Sequence, residues 1–174
     1  MKLKLIIILI IYLSIGIKAG FSQTKLDLMI DHPIQSEKRY QLMKEYAQAH
    51  YGMDHANLIN PQMVVIHYSA IATLRQTLSA FESDTISKTR DRLASYGDVN
   101  VGTHYVVDQD GTIYSLLPTT LMARHVIGFN HTAIAIENVA ADQGKLTDDQ
   151  IRSNALIIDM LLLDRLKIGP LISK

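Results

Sequence analysis

The chain has 174 residues, 48% hydrophobic and 20% charged, with no cysteine and with 17 basic residues against 17 acidic ones. That length makes one domain with a real core, and the missing cysteines exclude both a disulfide scaffold and a lipid-accepting thiol behind a leader. The balanced charge excludes the strongly basic surface that a nucleic-acid partner requires.

Lys2 and Lys4 precede an apolar run over 5–17, and Gly20-Phe21-Ser22 supplies a small-x-small cleavage pattern, so 1–22 reads as an export signal. A run this short falls below the ~20 residues that cross a bilayer, so no stable membrane anchor is expected. Three lysines and no acid leave with the leader, which takes the remainder to a net charge near −3. An exported protein, periplasmic or secreted, is the expectation.

Residues 23–62 read as an N-terminal helical segment. Within 35–51, Tyr40, Met43, Ala47 and Tyr51 recur at helical spacing between charges. His50 and His55 are given no role, since isolated histidines on a helix or in the next loop are ordinarily solvated. Asn60-Pro61 marks a turn, and the apolar run 63–68, MVVIHY, predicts a strand buried on both faces with His67 near its end. Such a histidine is either a core residue satisfied by one hydrogen bond or a group presented to a ligand crevice. Two helical segments follow over 69–81 and 84–96, separated by Ser83-Asp84 and stopped by Gly97.

Strands over 101–108 and 112–117 flank the Asp-Gln-Asp-Gly turn of a hairpin. The loop beyond gathers Arg124, His125, Asn130 and His131, and the apolar run 133–136 leads into Glu137. An acid at the end of a buried strand is held by a partner or put to use, and its pairing with His67 on a second strand favours a site over two unrelated core residues. After a polar loop over 140–145, Thr147 and Gln150 have capping-box spacing. Ile151, Ala155, Ile158, Leu162 and Leu166 then form an apolar stripe, widened by Leu156, Ile157, Leu161 and Leu163 and ended by Gly169-Pro170. Alternating strands and helices predict an α/β fold, a central mixed β-sheet flanked by helices.

The ordered motifs MVVIHYSA, THYVVDQDGTIYSL, ARHVIGFNH and AIAIENV together resemble the type 2 N-acetylmuramoyl-L-alanine amidases, the zinc amidases related to peptidoglycan recognition proteins, from about Met63 to about Leu166. The resemblance supplies the strand order and implies an amidase-like domain over 63–174 that cuts the amide between N-acetylmuramic acid and L-alanine, with peptidoglycan or muramyl peptides as partner and Zn2+ as cofactor. It assigns His67 as the first metal ligand and Glu137 as the catalytic general base and acid. His125, Asn130, Thr103 and Arg124 are expected at the substrate. His125 is either a substrate contact, a donor to the developing oxyanion or a backbone-bonded loop histidine. Arg124 meets a peptide carboxylate or is simply exposed, and Asn130 orders the loop by bonding its backbone. Thr103 stands where some relatives carry a tyrosine that polarises the scissile carbonyl. Strand alternation then turns His104 to the opposite face, as a packed residue.

In the family the second and third zinc ligands follow the long helix. The sequence reaches Lys174 about where that strand would start, so a truncated amidase is expected, or else other residues complete the site, His125 and His131 being the candidates by composition. A catalytically inactive peptidoglycan-binding module of the same fold is the alternative reading.

Overall fold

The computed structural model describes residues 29–142 and 146–166. Five strands, β1 (Met29–Asp31), β2 (Met63–Tyr68), β3 (Tyr105–Val107), β4 (Ile113–Ser115) and β5 (Ala133–Asn138), make one mixed sheet in the order β1-β4-β3-β5-β2. Only β3 and β4 are antiparallel; the other neighbours run parallel. The α/β class and central mixed sheet read from the sequence are present. Residues before Met63, read as a separate helical segment, also supply β1 to this sheet and α1 (Glu37–Tyr51) to its main core.

Alternation along the central strands divides the molecule into two layers. Tyr105, Val107, Ile134 and Ile136 pack with Met43, Tyr46 and Ala47 of α1 and with Ile157 of α4 (Asp148–Leu166). Val106 packs on the opposite side with Leu78 and Phe81 of α2 (Leu74–Glu82). In register, Val106 opposes Glu137, and Glu137 opposes His67. The histidine and the glutamate therefore share the α2 face, and the two alanines preceding Glu137 on that face, Ala133 and Ala135, are fully covered.

Four expectations are corrected. β2 is not buried on both faces: it pairs with β5 alone at one end of the described sheet, and Ile66 is 48% exposed. An apolar run does not by itself distinguish an edge from a centre. The hairpin strands are shorter than predicted, though the turn stands where it was read, with Asp108 N–H donating to Thr112 O and Gly111 at φ +84°. The segment 84–96 is helical only at α3 (Asp91–Ala94), because Thr85 bridges Val99, Ile86 N–H donates to Asp98 O and Asn100 N–H donates to Asp84 O.

The fourth correction concerns α4. Its capping box forms, with Gln150 N–H on Thr147 Oγ1 and Thr147 N–H on Gln150 Oε1. Its buried face, however, is Gln150, Ser153, Asn154 and Ile157, while Ile151 and Leu162 of the predicted stripe are 55% and 54% exposed. Polar residues win that face because the strand ends offer them partners: Gln150 Nε2 donates to Val107 O and Val139 O, Ser153 Oγ to Gly111 O, and Asn154 Nδ2 to Asn138 Oδ1. The predicted stop at Gly169-Pro170 lies outside the described residues, as does the leader.

Candidate active site

A cleft of about 330 Å³ opens on the α2 face, lined among others by His67, Ser69, Thr77, Phe81, Arg90, His125 and Glu137. The register already described fixes His67 beside Glu137, and a second contact reinforces it. Asn138, the next residue on β5, donates its Nδ2 to His67 O at 3.0 Å while its Oδ1 accepts from Asn154 of α4. The helix, β5 and β2 are thus tied at the point where the site begins.

Glu137 has no ion pair or side-chain hydrogen bond among the described residues. Burial alone pushes its carboxyl up to about 7. A carboxyl in that range both accepts and releases a proton near neutral pH, which is what a residue serving successively as base and acid needs.

His125 reaches the cleft from the loop after β4. Its backbone N–H and that of Val126 both donate to Asn130 Oδ1, at 2.8 and 2.7 Å, and Asn130 Nδ2 donates to Tyr46 Oη of α1. The expected loop-ordering bonds of Asn130 are present; its side chain is buried in that task. The His125 ring lies with Nε2 3.3 Å from Ala133 O and Nδ1 3.0 Å from His67 Nε2. A carbonyl can only accept, so Nε2 carries the proton and Nδ1 of the neutral ring presents a lone pair. The pair is then His67 Nε2–H donating to His125 Nδ1. This removes the oxyanion-donor role considered for His125, because its one N–H is already spent. Burial lowers both imidazoles from their ordinary range, His125 to about 3, so both are neutral at pH 7.

Thr103 does not face the cleft. It is fully buried, with its hydroxyl 3.0 Å from Tyr105 O and 3.2 Å from Ala135 O. The alternation argument fails there because regular strand starts only at Tyr105. His104 is packed as expected: Nε2 donates to Leu121 O, Nδ1 accepts from Ala135 N–H, and burial lowers it to about 4. Arg124 is neither exposed nor free for a carboxylate. It is 6% exposed, donates to the carbonyls of Gly97, Val99 and Leu93, and lies 4.9 Å over the Tyr46 ring. His131 stacks on Tyr51 with ring centroids 4.4 Å apart and makes no contact with the His67–His125 pair. His55 Nδ1 accepts from the nearby Asn57 N–H, and His50 Nε2 lies 2.8 Å from Tyr96 O, so neither enters the cleft.

Ser69, Thr77 and Arg90, which also line the cleft, were not identifiable beforehand as site residues, because each comes from a different loop or helix. Asn138 had one: it follows Glu137 directly, and a buried polar residue at a strand end must find partners.

A mixed α/β sheet carrying a histidine and an unpaired glutamate side by side above a cleft defines a candidate hydrolase or ligand-binding site. The sequence profile of N-acetylmuramoyl-L-alanine amidase matches residues 57–171, and the chain belongs to that family. Among solved structures, an AmpD derivative shares the fold at 20% identity, with 79% of this chain and 75% of that one covered and a TM-score of 0.53. An endolysin N-acetylmuramoyl-L-alanine amidase of Clostridium intestinale aligns at 21% identity (61% of this chain, TM-score 0.46), and the match spans 64% of that chain, just under two thirds. A peptidoglycan recognition protein-LE solved in complex with tracheal cytotoxin aligns at 18% identity, covering 62% and 64%, with a TM-score of 0.48. No curated protein matches the chain significantly. No described helix is long and apolar enough to cross a membrane.

Proposed function

We propose that the chain hydrolyses the amide between the lactyl group of N-acetylmuramic acid and L-alanine in peptidoglycan, using Glu137 and a zinc ion held at His67. The observation that carries this reading is Glu137 itself: a half-buried carboxyl near pKa 7, without a partner among the described residues, in register with His67 at the floor of the cleft. The imidazole of His67 is a donor of the kind zinc takes, although no group of three such donors forms among the described residues. When bound, the metal would polarise the scissile carbonyl and acidify a water.

Glu137 takes the proton of the attacking water as its oxygen adds to the carbonyl carbon. It then delivers that proton to the alanine nitrogen as the C–N bond breaks, leaving a carboxylic acid and a free amine. Asn130 and Arg124 hold the loops on either side of the cleft and act on the substrate through its shape. The leader and the substrate fit export to the periplasm or beyond. N-terminal sequencing of the secreted protein checks the processing step.

One observation favours the second reading, a peptidoglycan-binding module without turnover: no three His, Cys, Asp or Glu side chains among the described residues converge as a metal-binding group. The test is mass-spectrometric assay of muramyl-peptide cleavage by the zinc-loaded full chain and by Glu137→Gln, with binding measured on both. Cleavage by wild type alone, with binding kept in the variant, supports the amidase. Binding without cleavage by wild type overturns it in favour of the module.

A further inference from the structure

The cleft above Glu137 does not end at His125. A groove of about 710 Å³ shares Arg90, Val101, Arg124 and His125 with it and runs on between three segments that are bonded to one another. His50 of α1 donates from Nε2 to Tyr96 O, Arg124 donates to the carbonyls of Leu93, Gly97 and Val99, and Asn130 donates to Tyr46 Oη. The walls are therefore fixed before anything binds, which lowers the cost of ordering a site around a ligand. One wall, α1, precedes the residues 57–171 that match the family profile, so the groove is built in part by sequence outside that match.

Aromatic and aliphatic walls with a few polar groups are the usual lining of a ligand site. Here Tyr96 and Ile127 stand at the groove 57% and 88% exposed. Three arginines and no carboxylate belong to the lining. Arg124 is committed to backbone, whereas Arg90 and Arg92 form no ion pair among the described residues. Glu137 does not neutralise Arg90 across the cleft, since burial is the only influence on its carboxyl. The junction of cleft and groove is thus cationic and uncompensated.

The two halves of a muramyl peptide differ in charge. The lactyl carboxyl of the sugar is consumed in the scissile amide, while the peptide that begins at L-alanine ends in a free carboxylate. We propose that the groove is the peptide subsite, with Arg90 receiving a carboxylate of the peptide while Tyr96 and Ile127 pack against its chain. This rests on the amidase reading above and adds a substrate class, acidic rather than amidated peptides. Arg90 is then a specificity-determining residue, because its guanidinium fork is free where that of Arg124 is spent.

Calorimetric binding of N-acetylmuramyl-L-alanyl-glutamate and of its diamide to the full chain carrying Glu137→Gln tests this without turnover. The acid is expected to bind roughly tenfold more tightly. Adding Arg90→Gln brings that ratio to about one, and adding Arg75→Gln, at an exposed arginine of α2 outside both cavities, keeps it. In 1H–15N spectra the acid shifts the backbone amides of Leu93, Tyr96 and Ile127. Equal binding of the two compounds overturns the inference, as does a preference that Arg90→Gln leaves intact or a set of shifts confined to the cleft. Cleavage by wild type separates the two proposals. Glu137-dependent cleavage with no preference for the acid removes this inference alone, whereas an Arg90-dependent preference in binding without cleavage removes the amidase reading alone.

Discussion

Glu137 and the histidines around it make opposite demands on stability, and the signs are separable. The folded pKa of Glu137 is raised from an ordinary 4.5 to about 7, so folding favours its neutral form, and the stability it contributes at low pH is lost as pH rises through that interval. Glu137→Gln is expected to abolish cleavage, a loss of roughly 10²–10⁴-fold, and yet to raise stability at pH 8 by about 2 kcal/mol after allowance for partial exposure. Denaturant unfolding beside the cleavage assay checks both. In wild type, kcat/KM falls as pH drops through about 7, because the reaction starts from the carboxylate. His104 works the other way: its pKa is lowered from 6.5 to about 4, so its stabilising contribution is complete above 6.5 and is lost as pH falls toward 4. In a Glu137→Gln background, adding His104→Gln should flatten the decline in unfolding free energy between pH 6.5 and 4 by about 3 kcal/mol. An unchanged slope would place the titration elsewhere, on His125 first.

At the scale of elements, α4 separates what the sequence could disclose from what it could not. The capping box was legible because it is local, a reciprocal bond between residues three apart. The buried face was not, because it depends on which carbonyls the folded strands and hairpin turn present to the helix, those of Val107, Val139 and Gly111. The same division runs through the site. His67 and Glu137 could be read at the ends of apolar strands, and the family motifs named them. The burial of Thr103 and the clamp made by Arg124 depend on long-range closure of loops. The two views of α4 differ in a measurable way. Ile157→Ala, in the widened part of the predicted stripe and fully buried, is expected to cost 2–5 kcal/mol, roughly the range for a buried isoleucine, and Leu162→Lys, on the predicted stripe itself but exposed, to stay within about 0.5 kcal/mol. Equal losses would mean that the helix buries the stripe after all. Gly111 is a sharper probe of the contact between this helix and the hairpin. At φ +84° an added Cβ would lie 3.1 Å from Asp149 Cβ and 3.1 Å from Ser153 Oγ, so Gly111→Ala combines backbone strain with displacement of the helix, for roughly 2–4 kcal/mol by thermal or denaturant unfolding.

For the molecule as a whole, the residues before Met63 decide whether the cleft exists. Arg39 of α1 is buried, with its Nη2 donating to Phe81 O and Ser83 O at the end of α2, the helix that forms one wall of the cleft. Tyr46 on the same helix meets Asn130, which pins the His125 loop, and lies beneath the Arg124 guanidinium. Met43, Tyr46 and Ala47 belong to the principal core, and β1 extends the sheet beyond β4. A chain beginning at Met63 would retain every motif that marks the family and lose both the anchor of one wall and the anchor of the loop opposite. It would also expose the apolar surface that three buried side chains now cover, at about 1.5–3 kcal/mol for each large one, against a total stability of about 5–15 kcal/mol. Residues 63–174 are therefore expected to show no cooperative melting transition, while 23–174 melts as one unit. Arg39→Met, which keeps much of the length but no donors, should fall between them, leaving the Phe81 and Ser83 carbonyls unpaired at about 1–3 kcal/mol each and loosening the cleft wall. Hydrogen exchange over 74–83 and 124–131 would show the wall and the loop weakening, the first through Arg39 and the second only when α1 is lost. A cooperative transition in 63–174, with protected amides in both stretches, would mean that the cleft assembles without α1.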